Sequence, residues 1–120
     1  DGFEKTKDNA VLYEAYINDD KTTSLEREVL KKLNENSVNM PDSIHKVISH
    51  NGVPIAEADL FYEPRFCVFI DGPNHDKEHV KRDDATKRRK LKMLNKKYAI
   101  VHHTTFEEDM HKLIQELANS

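Results

Sequence analysis

The sequence predicts an α/β domain: a mixed four-stranded sheet with flanking helices, in the order α, β-β-β, α, β, α. Three observations carry this. Asn51-Gly52 separates two strand-like runs, the mark of a tight β-hairpin. Residues 66–70 (FCVFI) are apolar throughout, as a central strand covered on both faces must be. A long charged segment of helical periodicity then separates that run from residues 98–102 (YAIVH). Such a crossover allows the two strands to lie parallel, with helices on both faces of the sheet.

Each element has its own signal. Residues 1–8 are polar and expected to fray. Residues 10–17 (AVLYEAYI) carry apolar side chains on most sides, which suits a short helix packed against the body. After a polar break, Ser24 reads as an N-cap with acidic residues in the turn that follows. It opens a helix to about residue 36, with Leu25, Val29, Leu30 and Leu33 as its inward stripe. Residues 43–49, 54–62 and 66–70 follow as an antiparallel meander. In the second of these strands Ile55, Glu57 and Asp59 share one face, and Ala56, Ala58 and Leu60 the other. Residues 73–76 form a loop and 77–96 a long helix. A fourth strand covers 98–102, and Thr104 or Thr105 caps a last helix over 106–118. That helix turns Phe106, Met110, Leu113, Ile114 and Leu117 inward. Tracing the long helix's stripe back from Tyr98 through Leu94 and Leu91 reaches Lys87, Asp84 and Val80. Two charged residues therefore face the sheet, where they need polar partners or open water.

The chain has 120 residues, enough for one domain with a single modest core. We expect an N-terminal extension with a short helix over residues 1–23 and the main domain over 24–120. The first residue is Asp rather than Met, as expected of a segment of a longer protein. Charged residues make up 34% and apolar residues 37%, a composition rich in charge yet well above that of disordered chains. No apolar stretch approaches the roughly 20 residues that span a bilayer, so no membrane partner is expected. Cys67, the single cysteine, sits inside an apolar run, which fits a buried thiol and a reducing, cytoplasmic setting. Net charge is −3, but residues 77–97 hold ten Lys and Arg against three acids and leave the remainder at −10. That polarity suits either a phosphate-contacting face or a solvated helix surface.

The unusual chemistry lies in residues 59–75 (DLFYEPRFCVFIDGPNH). Asp59 and Asp71 fall at neighbouring strand ends, and two close carboxylates repel unless a cation or proton lies between them. Divalent-metal phosphodiester chemistry needs such oxygen ligands together with a group that activates water. His75 follows four residues later in a loop, and Glu26 on the first long helix could reach the same region. Each also has a structural reading: a strand-ending turn at Asp71-Gly72, a strand-end carboxylate at Asp59, a loop histidine, and a first-turn helix acid. His102 and His103 are adjacent strand residues and are expected to point to opposite faces, so at most one serves a given site.

The ordered set SLEREVLKKL, VPIAEADLFYEPRFCVFIDGPNH, a Lys/Arg-rich helix and YAIVHH resembles the very-short-patch-repair (Vsr-like) endonucleases. These belong to the PD-(D/E)xK restriction-endonuclease-like superfamily, and the resemblance covers roughly residues 24–103. It implies a restriction-endonuclease-like fold and an Mg2+- or Mn2+-dependent endonuclease acting on DNA. By resemblance, Asp59 and the main-chain carbonyl of Ile70 hold the metal, and the strand-end placement of Asp71 makes it a further expected ligand. His75 is then general base or stabilises the leaving group, and Glu26 orients a metal-bound water. Lys81, Arg82, Lys87 and Arg88 would contact the DNA backbone, and similar segments occur at the ends of helicase-like proteins. Phe69 stands where the wider superfamily carries an acid. The alternative function is therefore a nuclease fold that binds nucleic acid without cutting it.

Overall fold

Local sequence sets the element boundaries in the computed structural model, which describes residues 9–119. The expected fraying of residues 1–8 lies outside the described residues. In chain order the elements are α1 (Asn9–Ile17), α2 (Ser24–Glu35), β1 (Ser43–His50), β2 (Val53–Tyr62) and β3 (Phe66–Asp71). A 3-10 turn (Pro73–Asp76), α3 (Glu78–Met93), β4 (Lys97–His102), a second 3-10 turn (His103–Thr105) and α4 (Phe106–Ala118) complete the chain. No helix among the described residues is long and apolar enough to cross a membrane.

The residues pack as two compact units. One takes the chain up to Met40 and again from Met110. Its buried residues include Val29, Leu30 and Leu33 of α2, Val38, Met40, and Met110 and Leu113 of α4. Helix α1 forms where expected, but none of its residues is buried, and Val11 is 61% exposed. Asn9 anchors it instead: its amide donates to the Val38 carbonyl (2.9 Å), and its carbonyl accepts from the Met40 N–H (2.7 Å). The cap of α2 is Thr23, one residue before the expected Ser24. Thr-Ser-Leu-Glu is a capping box, in which Thr23 Oγ1 accepts the Glu26 N–H and Glu26 Oε1 accepts the Thr23 N–H.

The second unit, Pro41–Asp109, contains the whole sheet, in the order β1-β2-β3-β4. The sheet is mixed: β1–β2 and β2–β3 pair antiparallel, and β3–β4 parallel. Asn51 (φ 52°) and Gly52 (φ +80°) both take positive φ, which makes the two-residue turn of the first hairpin. Helix α3 ends three residues earlier than expected because Asn95 adopts φ 61°. The Lys96 N–H then returns to the Leu91 carbonyl (2.9 Å) and the Asn95 N–H to Lys92 (3.0 Å), a Schellman closure. Leu91 of α3 is fully buried in a cluster with Ile48, Ala56, Ala58, Phe61, Cys67 and Phe69, and Ile55, Tyr98 and Ile100 pack around them. Leu60, Val68, Ile70 and Val101 are buried as well. Beta-strand 3 is thus buried along almost its entire length, as its unbroken apolar run requires.

Candidate functional site

Sheet register brings the chemistry to one end of the second unit. Phe61 pairs with Cys67, and in the parallel ladder Phe69 pairs with Ile100 and Asp71 with His102. Paired residues share a face and alternate ones repeat it, so Asp59, Phe69, Asp71 and His102 lie on the same side. The β2–β3 ladder runs only from Tyr62↔Phe66 to Leu60↔Val68. Beyond it the Ile70 N–H donates to Asp59 Oδ2 at 2.7 Å, so the aspartate side chain takes over from the ladder. An extended residue turns its N–H and C=O to the same side, and the Ile70 carbonyl therefore faces β2 too.

Asp71 is the buried acid of the site, with its side chain 7% exposed. Its Oδ1 accepts from the Arg88 guanidinium at 2.9 Å and lies 3.6 Å from His75 Nδ1. Arg88 also stacks over the Phe69 ring, 4.7 Å from its centroid. Phe69 thus supports a cation over its face. Asp84 lies one helical turn before Arg88, and its Oδ2 is 2.7 Å from His75 Nδ1 and 4.0 Å from Arg88. A carboxylate only accepts hydrogen bonds, so Nδ1 of His75 carries a hydrogen toward Asp84. The helix stripe through Val80, Asp84, Lys87, Leu91 and Leu94 is buried or half-buried as the spacing predicted.

Two cavities open on Asp71. A small one of about 130 Å³ is lined by Asp59, Asp71, His75, Asp84, Lys87 and Arg88 among others. The larger, about 450 Å³, runs along α3, with Lys81, Arg88, Arg89 and Lys92 on one wall and Tyr98 and Ile100 on the other. Asp59 and Asp71 therefore share a cavity wall with the histidine. The group of three ligand-type side chains that close around one point here is Asp71, His75 and Asp84, and Asp59 is not part of it.

Glu26 lies in the first unit, where its carboxylate closes the capping box. Arg82 is exposed, and Lys87 bonds the exposed Asp83 at 3.0 Å. Arg88 is turned inward onto Asp71, its side chain 12% exposed. Lys81 lines the larger cavity with Arg89 and Lys92, which sequence reasoning did not single out. The signal for them was present: positions 81, 85, 88, 89 and 92 recur at three and four along one face of α3.

The two adjacent histidines correct an expectation. They do not diverge, because the strand ends at His102 and His103 opens a 3-10 turn. Both rings reach one carboxylate: His102 Nε2 to Asp76 Oδ1 and His103 Nε2 to Asp76 Oδ2, each 2.8 Å. The hydrogen bonds from His103 and His102 hold the Asp76 carboxyl below its usual range. Burial, by contrast, pushes the Cys67 thiol up. In comparisons with known proteins, no family model, no curated protein and no solved structure matches this chain.

Proposed function

We propose that Pro41–Asp109 is a divalent-metal-dependent endonuclease-like centre that hydrolyses DNA phosphodiester bonds. The observation that carries this reading is the His75–Asp84 pair (2.7 Å) set beside buried Asp71 in a cavity that Asp59 also lines. Asp59, Asp71 and the Ile70 carbonyl are hard oxygen donors, a set that suits Mg2+ or Mn2+. A metal bound there supplies charge neutralisation for the phosphate and the leaving oxygen. The residues of the chain do the rest. His75 Nε2 takes the proton of the attacking water, and Asp84 fixes the ring by holding Nδ1–H. Lys81, Arg89 and Lys92 contact backbone phosphates, which positions a strand without reading its sequence. Such a module suits a cytoplasmic protein in which a helicase or other motor supplies the DNA.

A plasmid-nicking assay with Mg2+ or Mn2+ tests the proposal. Wild type nicks, while Asp59→Ala and Asp71→Ala abolish cleavage. His75→Ala lowers it by on the order of 10²-fold or more, the contribution of a positioned base. Cleavage that survives in both aspartate variants overturns the assignment.

One observation favours a second reading. Arg88 already neutralises Asp71 from its seat on Phe69, and it could occupy the cation's place permanently. The unit would then bind nucleic acid without cutting it. Anisotropy titrations would show binding that falls steeply with salt and weakens in Arg89→Ala and Lys92→Ala, with no nicking under any metal.

A further inference from the structure

The Asp76–His102–His103 cluster shares no ligand with the centre proposed above, although His102 also lines the larger cavity, and its donor set is different. We propose that it is a binding site for one late first-row divalent metal ion of the Zn2+ class. Three ligand atoms of three side chains lie within 4.8 Å of one another. Two are imidazole nitrogens and the third is a carboxylate oxygen, a borderline set that favours Zn2+, Co2+ or Ni2+ over Mg2+. With bonds of about 2.0–2.2 Å, such a site needs only small ring movements from the present spacing. The side chains of Asp76, His102 and His103 are 44%, 28% and 25% exposed, so a fourth position stays open to water.

The local backbone prepares the ligands. The rings lie face to face at 4.5 Å, tilted by 33°, and both present Nε2 to the same carboxylate. Asp76 ends the 3-10 turn that follows β3, while His102 and His103 span the end of β4, so the ion would tie those two segments together. His102 Nδ1 accepts the Thr104 N–H at 3.2 Å, which leaves the hydrogen on Nε2, donated to Asp76. Metal binding needs the Nε2 lone pair. The ring hydrogen then moves to Nδ1, where Thr104 Oγ1, 2.7 Å away, is the acceptor. A ligating histidine usually donates its other ring N–H to a fixed acceptor, and Thr104 Oγ1 stands in that place here.

The test uses the full chain, stripped with chelator and titrated with Zn2+ alone, without nucleic acid or Mg2+. Calorimetry of the Asp71→Asn variant, in which the carboxylate centre is disabled, is expected to show one saturable equivalent, and Co2+ in its place to give visible ligand-field absorption. Asp76→Asn and His103→Ala each weaken binding by on the order of 100-fold, and Thr104→Val by about tenfold. Asp71→Asn and His75→Ala leave it unchanged, which separates this site from the neighbouring carboxylate centre. His103→Gln keeps a donor to Asp76 and serves where His103→Ala fails to fold, as judged by circular dichroism. The proposal is overturned by absence of a saturable equivalent in the wild type. It is equally overturned by binding that Asp76→Asn and His103→Gln leave intact, or that Asp71→Asn and His75→Ala remove. The readout is metal binding itself, so the result stands whether or not Asp71 serves cleavage.

Discussion

At Asp84 a single carboxylate oxygen faces His75 at 2.7 Å and Arg88 at 4.0 Å, so one substitution probes how the histidine is held. Asparagine at that position can present an amide N–H to Nδ1 and stabilise the wrong tautomer. We expect Asp84→Asn to lower nicking by on the order of 10²-fold. Because the carboxylate acts through the histidine, the double variant with His75→Ala should be no slower than His75→Ala alone. Strictly additive losses would separate Asp84 from His75. Residue-level chemistry was only partly legible in the sequence. Asp59, Asp71 and His75 stand out because an acid at a strand end is conspicuous against apolar neighbours. Arg88 on Asp71 was hidden, since that contact depends on the phase of α3 against β3, which no local pattern records. The paired histidines were hidden for a simpler reason. Their shared direction depends on the strand ending between them, and strand ends are set by hydrogen bonding rather than by residue type.

Elements were read more surely where the signal was local. Asn51-Gly52 fixed the hairpin because both residues tolerate positive φ, and β3 was legible because a continuous apolar run has few alternatives. The inward phase of α3 followed from spacing alone, although its end did not: Asn95 in the left-handed region stops the helix at Met93. The start of α2 shifted by one residue because Thr23 and Ser24 are both good caps and only Thr23 has a glutamate three residues on. That reciprocal box carries a stability prediction. Thr23→Ala removes the side-chain acceptor for the Glu26 N–H and should cost about 1 kcal/mol in urea unfolding, with an unchanged m-value. Ser24→Ala, inside the first turn, should change stability by no more than about a few tenths of a kcal/mol.

Across the whole molecule, charge and protonation act together. The basic stretch around α3 concentrates positive charge in one segment of a chain whose net charge is −3. Salt should therefore weaken nucleic-acid binding more steeply than the net charge suggests. Protonation of the core sets an alkaline limit on stability. The buried Cys67 thiol has its pKa raised above the ordinary value by desolvation, so the folded state keeps the proton that the unfolded chain releases. This contribution is complete below the unfolded thiol's pKa and is lost as pH rises through the folded one. The stability gap between wild type and Cys67→Ala should accordingly narrow in alkaline denaturant titrations and stay constant near neutrality. One further property follows from the turn Pro73–Asp76, where neighbours are about 120° apart around the helix axis. His75 is sent toward Asp84 and Asp76 toward the two histidines at the end of β4, so a single turn of backbone is pinned from two sides. Its entropy is surrendered when the chain folds rather than when a substrate arrives, and His75 meets its partner already in position.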